Sequence, residues 1–245
     1  MKVALVTGAS RGLGAEIARA LAVEGWTIAV NYAHDDKGAE DVAAAIRKNG
    51  GRALTTKFDV TDATAVRAGV NLIAETVGAV DLIVNNATGP QGAVPIVDQT
   101  WDHYQHHIDF FVKAPFLLLQ AVLPDWLSRR SGRVINIGSD VTKVGPARDA
   151  HYVAAKSALV GLTRSWATEL GPHGITVNLV SPGWTPVARH QGTAQSEYDE
   201  HMQKLPLRRL GVPSDVAGVV AFVASPAADY ITGHDFPVDG GRTYS

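Results

Sequence analysis

Short apolar, β-branched runs that alternate with helix-length stretches constrain this chain more than any other feature. The runs lie at 3–7, 27–31, 53–58, 82–85, 134–137 and 176–180. A run that is apolar at every position belongs to a strand covered on both faces, which is the condition of a parallel sheet assembled from βαβ units. Between the first two runs, Leu13, Ile17 and Leu21 fall four apart on one stripe, and Gly25 is placed as a helix stop. The same patterning predicts helices within 42–47, 66–77, 116–127, 153–170 and 216–224. The expected fold class is α/β, a doubly wound parallel β-sheet with helices on both faces. Repeats, charge blocks and linkers are missing, so a single domain over 1–245 is expected. The irregular stretch 182–210 is too long for a plain connection, and a substrate lid is expected around 184–210.

Composition removes several function classes. A net charge of -2 and a pI near 6.5 supply no basic face for nucleic acid or anionic lipid. With no cysteine, disulfides, thiolate metal sites and cysteine nucleophiles are excluded. The first apolar run is too short for a signal peptide, and no later stretch is read as approaching the roughly 18 apolar residues of a membrane span. The expectation is a cytoplasmic protein with no nucleic-acid and no membrane partner.

Thr7-Gly8-Ala9-Ser10-Arg11-Gly12-Leu13-Gly14 stands where the first strand gives way to the first helix. Glycines at such a turn let backbone approach a pyrophosphate, and the helix N-terminus presents N–H groups and partial positive charge to it. The spacing Gly-x-x-x-Gly-x-Gly is a variant of the dinucleotide-binding Rossmann fingerprint, although a strand-to-helix turn without ligand uses the same residues. A carboxylate at the end of the second strand holds the ribose 2′-hydroxyl in NAD sites and repels a 2′-phosphate. Here that strand ends Asn31-Tyr32-Ala33-His34, with no acid before Asp35, and Arg11 supplies a cation. NADPH is therefore favoured over NADH, with Asp35 and Asp36 as the counterargument.

Tyr152 and Lys156 are four apart in a predicted helix and share one face. An ammonium beside a phenol stabilises phenolate and brings its pKa toward the working range of a proton donor. Ser139 follows the fifth run, at the strand end where α/β sheets place ligands, and its hydroxyl can hold a carbonyl. The pair alone is also an ordinary solvated helix face; joined to the serine and the glycine turn it becomes specific.

These residues together resemble the short-chain dehydrogenase/reductases, nearly end to end. The family's cofactor turn is similar to residues 7–14, its strand-four motif to Asn85-Asn86-Ala87, its catalytic serine to Ser139 and its Tyr-x-x-x-Lys to Tyr152 and Lys156. Asp59-Val60 resembles the pair that meets the adenine, Ser181-Pro182-Gly183-Trp184, followed by Thr185, the turn at the nicotinamide, and residues 238–241 the C-terminal strand. Segments 154–177 and 206–241 look most like the 3-oxoacyl-[acyl-carrier-protein] reductases. The resemblance implies a single-domain Rossmann fold, catalysis by Ser139, Tyr152 and Lys156, and a homotetramer. It also implies NADPH-dependent reduction of a carbonyl to an alcohol, on a 3-oxoacyl thioester that is free or carried by a carrier protein. Two other readings stand beside it: a reductase or dehydrogenase for another ketone or secondary alcohol, and a low-turnover nicotinamide-binding regulator.

Three positions depart from the family pattern. Phe111 falls where many members carry an asparagine that supports a water behind the lysine, so Asp109, backbone carbonyls or direct exchange with solvent must serve instead. Thr88, followed by Gly89, replaces the glycine after Asn-Asn-Ala, and Thr185-Pro186-Val187 lacks the usual later threonine. Of the remaining features, His103 and His107 have the spacing of a helical metal pair without a glutamate between them. With His106, they are read as a polar helix face near a subunit contact, and no metal is expected. Trp101, Trp126 and Trp166 are read as packing residues, Trp184 as pocket-lining, and Tyr198, His201 and Met202 as lid residues.

Overall fold

Strand and helix alternate from the first residues in the computed structural model, which describes residues 2–187 and 192–244. β1 (Val3–Val6), α1 (Gly12–Val23), β2 (Thr27–Tyr32), α2 (Asp36–Lys48), β3 (Arg52–Lys57), α3 (Ala63–Val77) and β4 (Val80–Asn85) form the first half. The second half contains α4 (Trp101–Ile108), α5 (Ala114–Arg129), β5 (Gly132–Ile137), α6 (Val141–Val144), α7 (Ala150–Leu170) and β6 (Ile175–Pro182). It closes with α8 (Gln195–Gln203), α9 (Pro213–Ala224) and β7 (Asp235–Val238). The described strands form one seven-stranded sheet in the order β3-β2-β1-β4-β5-β6-β7, parallel at each pairing.

Burial on both faces explains the unbroken apolar runs. Every residue of β1 is buried, and the two faces of the sheet feed different cores. Ala4 and Val6 pack with Ile17 and Leu21 of α1, Val42 and Ile46 of α2 and Val220 of α9. Val3 and Leu5 face Val66 and Ile73 of α3 and Leu118, Val122 and Trp126 of α5. Because β1 and β4 are neighbours whose following connections leave on opposite faces, a crevice opens beyond their C-terminal ends, where doubly wound sheets take ligands.

Two expectations change. Helical backbone runs from Trp101 to Arg129, 29 residues, through a π turn at Asp109–Lys113, well beyond the predicted 116–127. By length and composition this run is apolar enough to cross a membrane, which the sequence reading denied. Its apolarity has a packing reason: Leu118, Leu119, Val122 and Trp126 are turned into the core, and the Trp126 indole donates to the Val80 carbonyl at 2.7 Å. Trp101 is not a packing residue within the chain; it is 66% exposed and stacks on Tyr104.

Candidate active site

The glycine turn is fixed by its neighbours as much as by its own residues. Gly8 and Gly12 stand at φ 62° and 57°, left-handed backbone that a side chain strains. Gly14 is required by contact instead: a Cβ there would lie 2.4 Å from the Asn86 amide nitrogen and 2.5 Å from the Gly8 carbonyl. Asn86 uses that amide to donate to the Thr7 and Gly8 carbonyls at 2.8 and 3.2 Å, while Thr7 Oγ1 accepts from the Asn86 and Ala87 N–H groups. Buried Asn31 accepts from Gly8 N–H at 3.4 Å and donates to the Thr56 and Phe58 carbonyls, joining the turn to β2 and β3. α1 starts at Gly12, its N-cap Arg11 makes no side-chain capping bond and its first turn has no acid, so its N–H groups and positive dipole end are left open to an anion. Open backbone, absent Cβ atoms and an uncapped helix end together fit a dinucleotide pyrophosphate.

Both candidate acids at the ribose end are already engaged. Asp35 caps α2 by accepting from Gly38 N–H at 3.0 Å. Asp36 takes Lys57 Nζ and the Tyr32 hydroxyl, each at 3.1 Å, and the Lys57 contact above all holds its carboxyl below the usual range. Arg11 and His34 line the same cavity.

A buried polar ladder sets α7 against the sheet. Asn85 Nδ2 donates to Asn136 Oδ1 at 2.7 Å, Asn136 Nδ2 donates to Thr163 Oγ1 at 2.9 Å, and Thr163 donates to the Leu159 carbonyl. That seating brings the first turns of α7 to the end of β5. Lys156, 4% exposed, donates to the Ile137 carbonyl at 2.6 Å. Its Nζ lies 3.8 Å over the Phe111 ring and 5.7 Å from the Tyr152 ring centre. Phe111 therefore gives the buried ammonium an aromatic face, a cation–π contact where the family places a polar group. Ser139, just beyond β5, is 8% exposed; its Oγ accepts from Val141 N–H at 3.3 Å and lies 3.4 Å from Asp140 Oδ1.

One cavity of about 1190 Å³ collects these groups. It is lined by Gly8, Ser10 to Gly14, Tyr32 to His34, Asp59 and Val60, Asn86 to Thr88, Ser139, Tyr152, Lys156, and Pro182 to Thr185, whereas Thr7, Ala9, Asn85, Ser181 and Asp109 are not on its wall. Part of the expected lid, residues 188–191, lies outside the described residues. In the rest of that segment, Tyr198 and His201 of α8 pack on Trp184 at 4.9 and 5.0 Å between ring centres. Asp109, offered as a relay group, accepts instead from Gln105 at 3.0 Å. The sequence reading missed Asp140 and Arg242, an ion pair at 2.8 Å across 102 positions, and the cavity-lining Phe110 and Asp149.

His107 departs from the expected polar face, while His103 and His106 are half-exposed. His107 is 3% exposed and His151 2%. The His107 ring stacks on Phe111 at 5.8 Å, meets Tyr152 edge-to-face at 5.4 Å and lies 4.9 Å from His151. Among the described residues no group of three His, Asp or Glu is arranged for a metal ion. Burial first, then neighbouring His151, His106, Lys156 and His103, push the His107 pKa from 6.5 down to about 4.

A stability dependence follows from that shift. The unfolded chain takes up the His107 proton near pH 6.5, whereas the folded protein resists it until about pH 4. Folding stability contributed by this group is thus present above pH 6.5, is lost as pH falls toward 4, and levels off below. Denaturant midpoints measured at several pH values in this window should fall less steeply, by one proton's linkage, in His107→Gln than in the wild type. Equal slopes would remove His107 as a cause. Comparing the two proteins cancels the contributions of Asp140 and Asp149, whose pKa values burial raises.

Comparison with known proteins places this geometry among relatives. A family model described as enoyl-(acyl carrier protein) reductase matches residues 8–243. The 3-oxoacyl-[acyl-carrier-protein] reductase FabG of Staphylococcus aureus is 40% identical over 242 residues, covering 98% of this chain and 97% of that protein. A gluconate 5-dehydrogenase of Burkholderia cenocepacia, solved with NADP and tartrate, superposes with a TM-score of 0.93 at 30% identity, over 100% of this chain and 96% of that one. A doubly substituted short-chain dehydrogenase/reductase of Serratia marcescens gives 0.91 at 36% identity, over 99% and 98%.

Proposed function

From the premise that this chain belongs to the short-chain dehydrogenase/reductase family and is a nicotinamide-dependent oxidoreductase, we propose that it reduces a 3-oxoacyl thioester to the 3-hydroxy compound with NADPH. The observation that carries the reading is the meeting of Ser139, Tyr152 and Lys156 with the glycine turn in one cavity. Identity of 40% to a 3-oxoacyl-[acyl-carrier-protein] reductase along almost the whole chain supports the substrate class.

The glycine turn 8–14 and the α1 N-terminus would hold the pyrophosphate, Asp59 and Val60 the adenine, and residues 182–185 the nicotinamide end. A reduced nicotinamide held there would supply the hydride for the carbonyl carbon. Ser139 donates a hydrogen bond to the carbonyl oxygen and holds it as negative charge develops. Tyr152 gives its phenolic proton to that oxygen, and the Lys156 ammonium stabilises the phenolate left behind. The Ile137 carbonyl and the Phe111 ring keep that ammonium buried and in place. The reverse oxidation uses the same groups.

Preference for NADPH is supported by the engagement of Asp35 and Asp36 elsewhere and by Arg11 on the cavity wall. Arg11→Ala should raise the NADPH Km by about 10- to 100-fold, the worth of a charge-assisted contact, and leave the NADH Km nearly unchanged. Equal changes for both cofactors would take Arg11 away from the 2′-phosphate. A cytoplasmic, single-domain homotetramer without membrane or nucleic-acid partners completes the reading. Exposed Trp101, Phe116 and Leu127 along the α4–α5 run support the assembly, and a net charge of -2 fits the lack of a polyanion partner.

The direct test follows loss of reduced-nicotinamide absorbance with NADPH and NADH against a 3-oxoacyl thioester, a cyclic ketone and a diketone. Turnover of the thioester with NADPH preferred is the expected result. Silence across the panel with NADPH bound would overturn the thioester reading in favour of another carbonyl substrate or of a nicotinamide-binding regulator.

A further inference from the structure

Asp140, the residue after Ser139, is 4% exposed, and a carboxylate so enclosed needs partners. Its two oxygens face different ones. Oδ2 accepts from Arg242 Nη1 at 2.8 Å, while Oδ1 accepts from the Ser139 hydroxyl at 3.4 Å, beyond the usual length of such a bond. The Asp140 N–H donates to the Pro182 carbonyl at 3.0 Å, and a Cβ on Gly183 would lie 3.5 Å from Oδ2. Asp140 therefore stands where the serine, the 182–183 turn and Arg242 meet.

Arg242 is fixed by the turn that follows β7. The Asp239 carboxylate accepts from the N–H groups of Gly241 and Thr243 at 3.0 and 2.9 Å, and its carbonyl accepts from Arg242 N–H at 3.3 Å. Gly183 N–H donates to the Val238 carbonyl at 2.9 Å, which fastens the 182–183 turn to the same strand. Both Asp140 and Arg242 line the cavity that holds Ser139 and Tyr152.

A serine hydroxyl has one proton to give. Asp140 Oδ1 and the oxygen of a reacting carbonyl compete for it, and an ionised carboxylate is the stronger acceptor. A short bond to Oδ1 would withhold the proton from the carbonyl. With Arg242 on Oδ2 the negative charge is drawn to the far oxygen, and the bond at Oδ1 stays long. Burial and Asp239 raise the Asp140 pKa while Arg242 lowers it, so the same contact keeps this buried group compensated.

We propose that Arg242 is a positioning residue of the reaction: by engaging Asp140 it leaves the Ser139 proton to the carbonyl oxygen, which makes the turn 239–243 part of the active site. The proposal rests on the reading of Ser139 as the donor to a reacting carbonyl.

The test takes the best substrate of the carbonyl panel and measures kcat and Km in single and double variants, each checked by thermal unfolding. Arg242→Met should lower kcat by about 10- to 100-fold, no more than the loss of a whole oxyanion donor. The NADPH Km should change by less than about threefold. Arg242→Lys keeps the charge and one hydrogen bond, and should stay within about tenfold of the wild type. In a Ser139→Ala background, adding Arg242→Met should cost less than about twofold, because no hydroxyl proton is left to withhold. Adding Asp140→Asn to Arg242→Met should recover about threefold or more, since a neutral amide competes for the proton less than an unpaired carboxylate. Wild-type kcat in Arg242→Met, or its full effect repeated in the Ser139→Ala background, would overturn the proposal. A second readout needs no turnover: the carbon-13 carboxyl resonance of Asp140, assigned by its loss in Asp140→Asn. It should shift in both Ser139→Ala and Arg242→Met. Those shifts in a protein that reduces no carbonyl would uphold the serine–aspartate–arginine coupling and sink the reductase reading alone. A resonance unmoved by Ser139→Ala would overturn the coupling itself.

Discussion

Tyr152→Phe should lower kcat for NADPH-dependent reduction by about 10³-fold, inside the 10²–10⁴ that a positioned proton donor contributes. The substitution removes one oxygen and keeps the ring, so the edge-to-face contacts of residue 152 with His107 and Phe111 persist. Folding is expected to survive, and thermal unfolding of the variant checks that. NADPH affinity should weaken by less than about tenfold, the limit for one neutral hydrogen bond. Rapid-mixing measurements with saturating NADPH separate the two quantities. A variant that binds NADPH and reduces carbonyls at the wild-type rate would remove Tyr152 from the proton-transfer role.

Lys156→Met should be at least as damaging and in a different way. The lysine nitrogen meets a carbonyl at 2.6 Å and an aromatic face at 3.8 Å. Both contacts hold the ammonium on the Tyr152 side of α7. Methionine fills nearly the same volume without charge, so the phenolate left by proton transfer loses its stabilising cation. The expected result is a fall in kcat of about 10²- to 10⁴-fold, with the basic limb of the pH–rate profile moved to higher pH. On the proposed reading the same ammonium would also hold the cofactor ribose, so cofactor Km should rise as well. A drop in kcat with an unmoved pH profile would mean that Lys156 acts only by holding structure.

Much of this was legible in the residues. Strands covered on both faces announce themselves as unbroken apolar runs, as 3–7 and 134–137 do, and the glycine turn and the Tyr152–Lys156 pair are local patterns. What escaped depends on distant partners. Asp140 reads as an ordinary acid after Ser139 until the fold returns Arg242 to it from 102 residues away. His107 reads as one of three histidines on a polar helix face near a subunit contact until α7 brings His151 and Tyr152 against it. The helix 101–129 was underestimated because its polar start, rich in histidine, masks one continuous run joined by a π turn. Phe111 reads as a ring where many family members carry an asparagine; that the ring faces the lysine ammonium depends on how the π turn packs against α7.

Trp184 gives the protein an optical reporter of its own. The indole is part of the cavity wall and touches Tyr198 and His201 of α8. Trp26 and Trp126 are enclosed in the two cores, where their surroundings are set by packing. A change in emission on filling the cavity, absent in Trp184→Phe, therefore reports local events at this wall, including any shift of α8 against it. Occupancy can then be followed in real time with neither a label nor a chemical reaction.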